Sequence, residues 1–178
     1  MWQGKRVVVG ITGGIAAYKS AELVSRLRQE EAKVQVVMTR AAGEFITPLT
    51  LATLAGGPVW QEMFAPGAGV AHIELAQTAE LVLIVPATAD IIARLAAGLA
   101  DELLCALVLA TRAPVLLAPS MNANMYTHPV TQANLARLRE LGYHVLEPES
   151  GFLACGARGP GRLPAVETIL EAAAALLR

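Results

Sequence analysis

The sequence predicts an α/β protein with a doubly wound, mainly parallel sheet. Short apolar runs rich in valine alternate along the chain with segments whose apolar residues recur at helical spacing. The first apolar run ends in a glycine-rich turn, GITGG, that leads into a helical pattern, which is the strand, turn and helix order of open α/β sheets. At 178 residues the chain is long enough for one such core and too short for two. We therefore expect a single domain over residues 1–178.

The order of the elements follows from the apolar patterns. Fully apolar runs are typical of strands in a parallel sheet that is covered on both faces. Strands are predicted at 6–11, 33–38, 81–85, 115–118 and, more weakly, 143–146. Helices are predicted between and after them at 16–30, 91–97, 102–110, 130–141 and 166–177, two of them with a proline near the start, where it is tolerated.

Two stretches break the alternation of strands and helices. Residues 56–71 hold several glycines and prolines and predict a surface loop. Residues 147–164 include SGFLACGARGPGRLP and predict a second, longer loop. Because long loops in compact domains are often functional lids or disordered, we expect a flexible segment that closes over a site here.

Composition and charge limit the partners. With 54% hydrophobic and only 16% charged residues, the chain has limited means to cover its surface, which favours a homo-oligomer. The net charge of −1 is scattered, so neither nucleic acid nor a membrane is an expected partner. A strand is predicted within a few residues of the N-terminus, which leaves no space for a signal peptide and predicts a cytoplasmic location. The two cysteines match no metal-ligand spacing.

The turn after the first predicted strand is a candidate anion site. Gly13, Gly14 and Ile15 precede a helix, where backbone N–H groups can approach a phosphate. The turn lacks the GxGxxG order, and the second strand ends in Thr39 and Arg40 instead of the acidic residue that would hold a dinucleotide ribose. A mononucleotide is therefore favoured over NAD, and a purely structural glycine turn is an equally good interpretation of this segment alone.

Two further segments follow predicted strands. In PATADIIAR, Pro86, Thr88, Ala89 and Asp90 offer a small, polar surface that could accept a flat ring, or Thr88 or Asp90 could simply cap the next helix. In PSMNANMY, amide groups lie beside methionines. Taken alone, this second segment is better interpreted as a polar loop with core methionines.

Three residues are candidates for proton chemistry or are excluded from it. His72 follows the first glycine-rich loop and has a side chain suited to proton transfer near neutral pH, although a lone histidine is more often a surface or packed residue. Cys155 lies in a loop flanked by glycine, where its thiol could be presented to a site. Cys105, within LLCALVLA, is predicted to be a small core residue.

Taken together and in order, five segments resemble the homo-oligomeric flavin-containing cysteine decarboxylases over nearly the whole chain. They are GITGGIAAYK, AHIEL, PATADIIAR, PSMNANMY and GFLACGARGPGRL. PATAD departs from the PASAN form of several members of that family. The PATAD form favours a coenzyme A precursor over a peptide cysteine as substrate. The resemblance implies a Rossmann-like flavoprotein fold and FMN as cofactor.

The resemblance also implies a role for each candidate residue. Gly13, Gly14, Ile15 and Thr39 would lie at the FMN phosphate and ribityl chain, and Pro86, Thr88, Ala89 and Asp90 would line the flavin. The remaining assignments are His72 as the active-site base, Asn122 as the residue that holds the substrate carboxylate, Ser120 and Met121 as its neighbours at the substrate, and Cys155 as the proton donor on a closing loop.

The implied reaction is the FMN-dependent decarboxylation of 4′-phosphopantothenoylcysteine to 4′-phosphopantetheine in coenzyme A biosynthesis. Loss of carbon dioxide would leave a carbanion with no electron sink, so the thiol is first oxidised by the flavin, and the enethiolate left after decarboxylation is then reduced again. The implied partners are further copies of the chain, as a homotrimer or homododecamer, and a phosphopantothenoylcysteine synthetase, fused or separate. A flavin prenyltransferase-like enzyme and a non-catalytic FMN-binding regulatory subunit are the alternatives.

Overall fold

The computed structural model describes residues 1–64, 70–156 and 158–177 and contains a six-stranded parallel sheet. The strand order is β3-β2-β1-β4-β5-β6, the order of the doubly wound α/β fold. The strands are β1 (Arg6–Ile11), β2 (Lys33–Met38), β3 (Val59–Trp60), β4 (Leu81–Ala87), β5 (Val115–Pro119) and β6 (His144–Val145). The predicted fold class is confirmed, and β1 and β2 have their predicted bounds.

Helices cover both faces of the sheet. They are α1 (Ala17–Gln29), α2 (Pro48–Ala55), α3 (Ala71–Thr78), α4 (Ala89–Ala97), α5 (Leu103–Ala110), α6 (Ala123–Thr127), α7 (Pro129–Glu140) and α8 (Val166–Leu176). Helices α1, α2 and α8 pack on one face, and α3, α4, α5 and α7 pack on the other. Alternation along β1 explains the two cores, because Val7 and Val9 join the first and Val8 joins the second. The sheet is buried on both sides, as its continuous apolar strands require.

Local signals explain where two of the helices begin and end. Thr88 is the N-cap of α4, where its Oγ1 accepts a hydrogen bond from the Ile91 amide at 3.4 Å, and Gly98 ends the same helix in the left-handed conformation. Thr47 caps α2 in the same way, with Pro48 in the first turn.

Both loops predicted from the sequence contain regular secondary structure, and the short helices α2 and α6 were not predicted. The segment 56–71 contains β3, and its last residue, Ala71, begins α3, so it is not a continuous loop; residues 65–69 of that prediction lie outside the described part of the chain. Residues 147–164 form an antiparallel hairpin of β7 (Glu149–Phe152) and β8 (Arg158–Arg162) instead of an irregular loop, with residue 157 outside the description. Short strands rich in glycine carry almost no apolar alternation, so the pattern concealed them.

Within the described residues, no helix has both the length and the apolar character needed to span a bilayer.

Candidate functional site

A large cavity opens at the carboxyl ends of the parallel strands. Its volume of about 1210 Å³ exceeds the few hundred to 1,000 Å³ of most small-molecule sites, so it has room for two ligands of moderate size. The walls come from the residues after β1, β2, β4 and β5 and from the β7–β8 hairpin. The strand order reverses between β1 and β4, and the carboxyl edge at such a switch point is where open α/β sheets bind ligands.

The turn after β1 is held rigidly against the sheet. Thr12 is buried, and its hydroxyl donates to the Pro86 carbonyl oxygen at 2.6 Å, which joins the ends of β1 and β4. A Cβ atom at Gly13 would overlap Ala41, so glycine is required there by close packing. At Gly14 a Cβ would lie 3.4 Å from the methyl carbon of Thr88. The turn after β1 therefore packs against the segments that follow β2 and β4, and at Gly13 it does so more closely than any larger residue would allow.

The segment after β4 contributes both a helix cap and a charged pair. Thr88, Ala89 and Asp90 all line the cavity. The Asp90 carboxylate accepts a hydrogen bond from Arg94 Nε at 2.9 Å, and Arg94 Nη1 donates to Asp101 at 2.6 Å. The hydrogen bonds with these two carboxylates raise the pKa of Arg94, with that to Asp101 contributing most. Asp90 therefore faces the cavity as a carboxylate paired with Arg94 and not as an isolated charge.

The segment after β5 meets the hairpin at a contact between two predicted site residues. Asn122 caps α6 by accepting from the Asn124 amide at 2.8 Å, and its Nδ2 donates to Cys155 Sγ at 3.3 Å. The Met121 amide donates to the Gly161 carbonyl oxygen at 2.9 Å, which fixes the hairpin against the same segment. Cys155 is exposed at the turn of the hairpin and lines the cavity. An amide and a thiol are thus placed side by side at the cavity wall.

A half-buried carboxyl group also reaches the cavity. Glu102, at the start of α5, is half-buried, and desolvation raises the pKa of its carboxyl above the ordinary 4.5. Its Oε1 accepts a hydrogen bond from Cys105 Sγ at 3.5 Å. Cys105 has no exposed surface, and burial, followed by the nearby Glu102 charge, raises its pKa to about 12, so its thiol stays neutral. The prediction of Cys105 as a core residue is confirmed.

Most of the predicted site residues line this one cavity. They are Gly13, Gly14, Ile15, Thr39, Thr88, Ala89, Asp90, Ser120, Met121, Asn122 and Cys155. Pro86 is not among the lining residues; it is buried behind Gly14, with its carbonyl oxygen bonded to Thr12. His72 is also absent from the lining. It lies in the first turn of α3, half-buried, and its Nδ1 has no hydrogen-bond partner within the described residues.

Sequence reasoning missed several residues of the cavity. They are Tyr18, Lys19, Arg40, Glu44, Arg94, Glu102, Met125, Phe152 and Arg162. Arg40 and Lys19 lie within or beside segments already singled out, so the position after a strand was the available signal. Glu102 and Arg162 reach the cavity from the start of α5 and from the hairpin, and no local pattern indicates either.

A cavity of this kind, with a glycine turn and threonine hydroxyls at the carboxyl edge of a parallel sheet, defines an α/β protein of the mononucleotide-binding class. The flavoprotein family model matches residues 1–178. The chain therefore belongs to the flavoprotein family, and the family resemblance drawn from the sequence is confirmed.

Curated relatives narrow the comparison. The chain is 52% identical over 171 residues to the coenzyme A biosynthesis bifunctional protein CoaBC of Haemophilus influenzae, covering 95% of this chain and 43% of that protein. It is 50% identical over 174 residues to the protein of the same name from Escherichia coli K12, covering 97% and 43%. The chain spans less than half the length of these relatives.

Solved structures share the fold over almost their full length. A mutant of PPC decarboxylase complexed with pantothenoylaminoethenethiol superposes with a TM-score of 0.84 at 30% identity, covering 96% of each chain. The FMN-dependent cysteine decarboxylase SpaF gives a TM-score of 0.86 at 30% identity, covering 99% of each chain.

Proposed function

We propose that this chain is an FMN-dependent carboxy-lyase that converts 4′-phosphopantothenoylcysteine to 4′-phosphopantetheine in coenzyme A biosynthesis. The observation that carries the proposal is the contact of Asn122 Nδ2 with Cys155 Sγ at 3.3 Å, at the wall of a cavity on the carboxyl edge of the sheet. The bifunctional coenzyme A biosynthesis proteins and the PPC decarboxylase structure described above support the choice of substrate.

The residues of the cavity fit FMN. The backbone of the β1 turn and the side chains of Thr39, Lys19 and Arg40 lie at one edge and suit a phosphate, while Ile15 and Met121 supply apolar surface for a ring system. When bound, the flavin would take two electrons from the substrate thiol and return them after decarboxylation, so the net reaction consumes no oxidant. Thr88 would lie at the ring, where its hydroxyl already accepts from the Ile91 amide.

The chain's own residues would position the substrate and move its protons. Asn122 Oδ1 is held by the Asn124 amide, so the carboxamide has a fixed orientation, and its N–H group can hold the substrate carboxylate without adding charge. A neutral donor is suited to a carboxylate that must leave as carbon dioxide, because a cation would stabilise the ground state. The Cys155 thiol, beside that amide, would donate the proton to the carbon that loses the carboxylate.

We propose further that His72 is the active-site base and serves the cavity of a neighbouring copy in a homotrimer or homododecamer. Within one chain His72 does not line the cavity, and its buried Nδ1 has no hydrogen-bond partner among the residues described. Ile15 and Tyr18 line the cavity and yet are 59% and 60% exposed, as expected where a second copy covers the rim. A phosphopantothenoylcysteine synthetase, fused or separate, would supply the substrate, and the proposed location is the cytoplasm.

The decisive experiment is an anaerobic incubation of the FMN-loaded protein with 4′-phosphopantothenoylcysteine, followed by product mass. Wild type is expected to release carbon dioxide and to form the saturated thiol. Cys155→Ser should release carbon dioxide and form a product two hydrogens lighter, since the proton donor is missing; at most one equivalent per bound FMN is expected, because the flavin stays reduced without an oxidant. Cys105→Ala is the matched control, because Cys105 is buried in the core and its loss should leave the product unchanged.

The absence of conversion by protein shown to hold FMN would refute the decarboxylase and favour the prenyltransferase-like or regulatory alternative. For the second proposal, His72→Asn and Cys155→Ser chains would be co-expressed. Hetero-oligomers should form the saturated thiol, which neither variant forms alone, since some cavities would then combine an intact histidine with an intact cysteine. Failure of this rescue would mean that His72 does not serve a neighbouring copy.

A further inference from the structure

Arg162, the last residue of β8, is a cation of the cavity wall that the proposed reaction does not use. It lines the cavity together with Phe152 of the same hairpin, and it is exposed. None of the ion pairs within the described residues includes it. Its guanidinium therefore has no ion-pair partner among the described residues and can bind an anionic ligand.

The hairpin makes room for this side chain. A Cβ atom at Gly151 of β7 would lie 3.3 Å from Arg162 Nη1 and 3.4 Å from its Cδ, so the guanidinium passes across a position without a side chain. The hairpin itself is fixed, because the carbonyl oxygen of Gly161 accepts from the Met121 amide at 2.9 Å. The strand that carries Arg162 is thus anchored to the segment after β5, and the side chain runs from there across Gly151 of β7.

The other cations of the cavity are used elsewhere. Arg94 is bound to Asp90 and Asp101. Lys19 and Arg40 follow β1 and β2, where the FMN phosphate is proposed to lie. The hairpin is anchored to the segment after β5, three strands from β2, which corresponds to roughly 14 Å at the usual spacing between strands. The strand end that anchors Arg162 is therefore distinct from the strand ends at which the cofactor phosphate is proposed to lie.

Resting on the proposed function, we propose that Arg162 binds the phosphate monoester of the substrate and makes the enzyme selective for the phosphorylated compound. The substrate has two anionic groups at opposite ends. The carboxylate must leave, so a neutral donor such as Asn122 is suited to it and a guanidinium is not. The phosphate is unchanged in the reaction, so a planar, permanently charged group can bind it equally in every state and act on KM.

The test compares Arg162→Gln and Arg162→Lys with substrates that do and do not carry the 4′-phosphate. Arg162→Gln should lower kcat/KM for the phosphorylated substrate by roughly 10- to 100-fold, the worth of a hydrogen-bonded charge pair, and chiefly through KM. It should change kcat/KM for pantothenoylcysteine by less than about twofold, and Arg162→Lys should retain part of the discrimination. Arg158→Gln is the matched control, because Arg158 is exposed on the same strand and does not line the cavity.

Three outcomes would overturn the proposal. An equal loss for both substrates would assign Arg162 to the carboxylate. A weaker affinity for FMN with no change for riboflavin would assign it to the cofactor phosphate. The third outcome comes from calorimetric measurement of 4′-phosphopantothenate and pantothenate binding, which needs no turnover. Wild type should bind the phosphorylated ligand more tightly, and Arg162→Gln should not. Equal binding of the two ligands by wild type would refute the assignment of Arg162 even if the decarboxylase activity is confirmed. A failed reaction alone would refute only the proposed function.

Discussion

Gly161 holds the hairpin against the segment after β5, and its replacement by alanine should weaken this attachment. Its φ of +119° is a conformation that L side chains rarely adopt. A Cβ atom there would also overlap the carbonyl oxygen of Met121, which is backbone and cannot rotate away. The strand would have to shift, and the hydrogen bond from the Met121 amide to the Gly161 carbonyl, 2.9 Å long, would be lengthened or lost.

The cost can be worked out from these contacts. A non-glycine residue in a sparsely populated region costs about 1–3 kcal/mol. The hydrogen bond contributes about 1 kcal/mol more. Gly161→Ala should therefore lower the free energy of unfolding by roughly 2–4 kcal/mol if the hairpin stays in place. Gly98→Ala is the matched control, because φ there is +70° and a Cβ would meet nothing within 4 Å, so its cost should be about 1 kcal/mol.

Urea denaturation and amide hydrogen exchange would measure the two parts of the effect. Exchange of the Met121 amide should accelerate in Gly161→Ala and stay unchanged in Gly98→Ala, because only the first loses the carbonyl acceptor. If the hairpin detaches from the Met121 segment instead of staying in a strained conformation, the free energy of unfolding will decrease less and exchange of the Met121 amide will accelerate more. Equal stability of the two variants with an unchanged Met121 amide would refute the reasoning.

Two further changes test the electrostatics of the cavity. Burial raises the pKa of Glu102, so the contribution of its carboxyl group to stability is fully present below about pH 4.5 and is lost as the pH rises through the folded pKa. In urea titrations, Glu102→Gln should therefore be more stable than wild type at pH 7 and not at pH 4. A stability difference that is the same at both pH values would contradict this. Asn122→Asp keeps the oxygen that caps α6 but loses the N–H group that donates to Cys155. The free energy of unfolding should therefore change by no more than about 0.5 kcal/mol, while kcat/KM falls at least tenfold. A variant with wild-type activity would show that Asn122 does not hold the substrate carboxylate.

The central sheet could be predicted because its strands are continuous apolar runs. Residues 6–11 and 33–38 were bounded correctly, and the segments that follow β1, β2, β4 and β5 meet at one edge because parallel strands all end there. Knowledge of the strand ends was therefore enough to indicate most of the cavity wall before its geometry was known.

The hairpin and the charged residues of the cavity could not be predicted in this way. β7 and β8 read ESGF and RGPGR, which lack apolar alternation, and their pairing depends on contacts with residues far away in sequence, such as Met121. Glu102 lies at a helix start and resembles any surface carboxylate until α5 packs against β1 at Gly10. His72 shows the reverse case, since a plausible residue by sequence lies outside the cavity of its own chain.

The proposed function requires FMN to occupy the carboxyl edge between β1 and β4. FMN would be titrated into cofactor-free protein while exchange of the backbone amides is followed. The predicted result is saturable binding of FMN with slower exchange in the turn at Gly13, Gly14 and Ile15 and at the start of α4. Saturable binding with no change at these amides, or protection confined to another surface, would contradict the account.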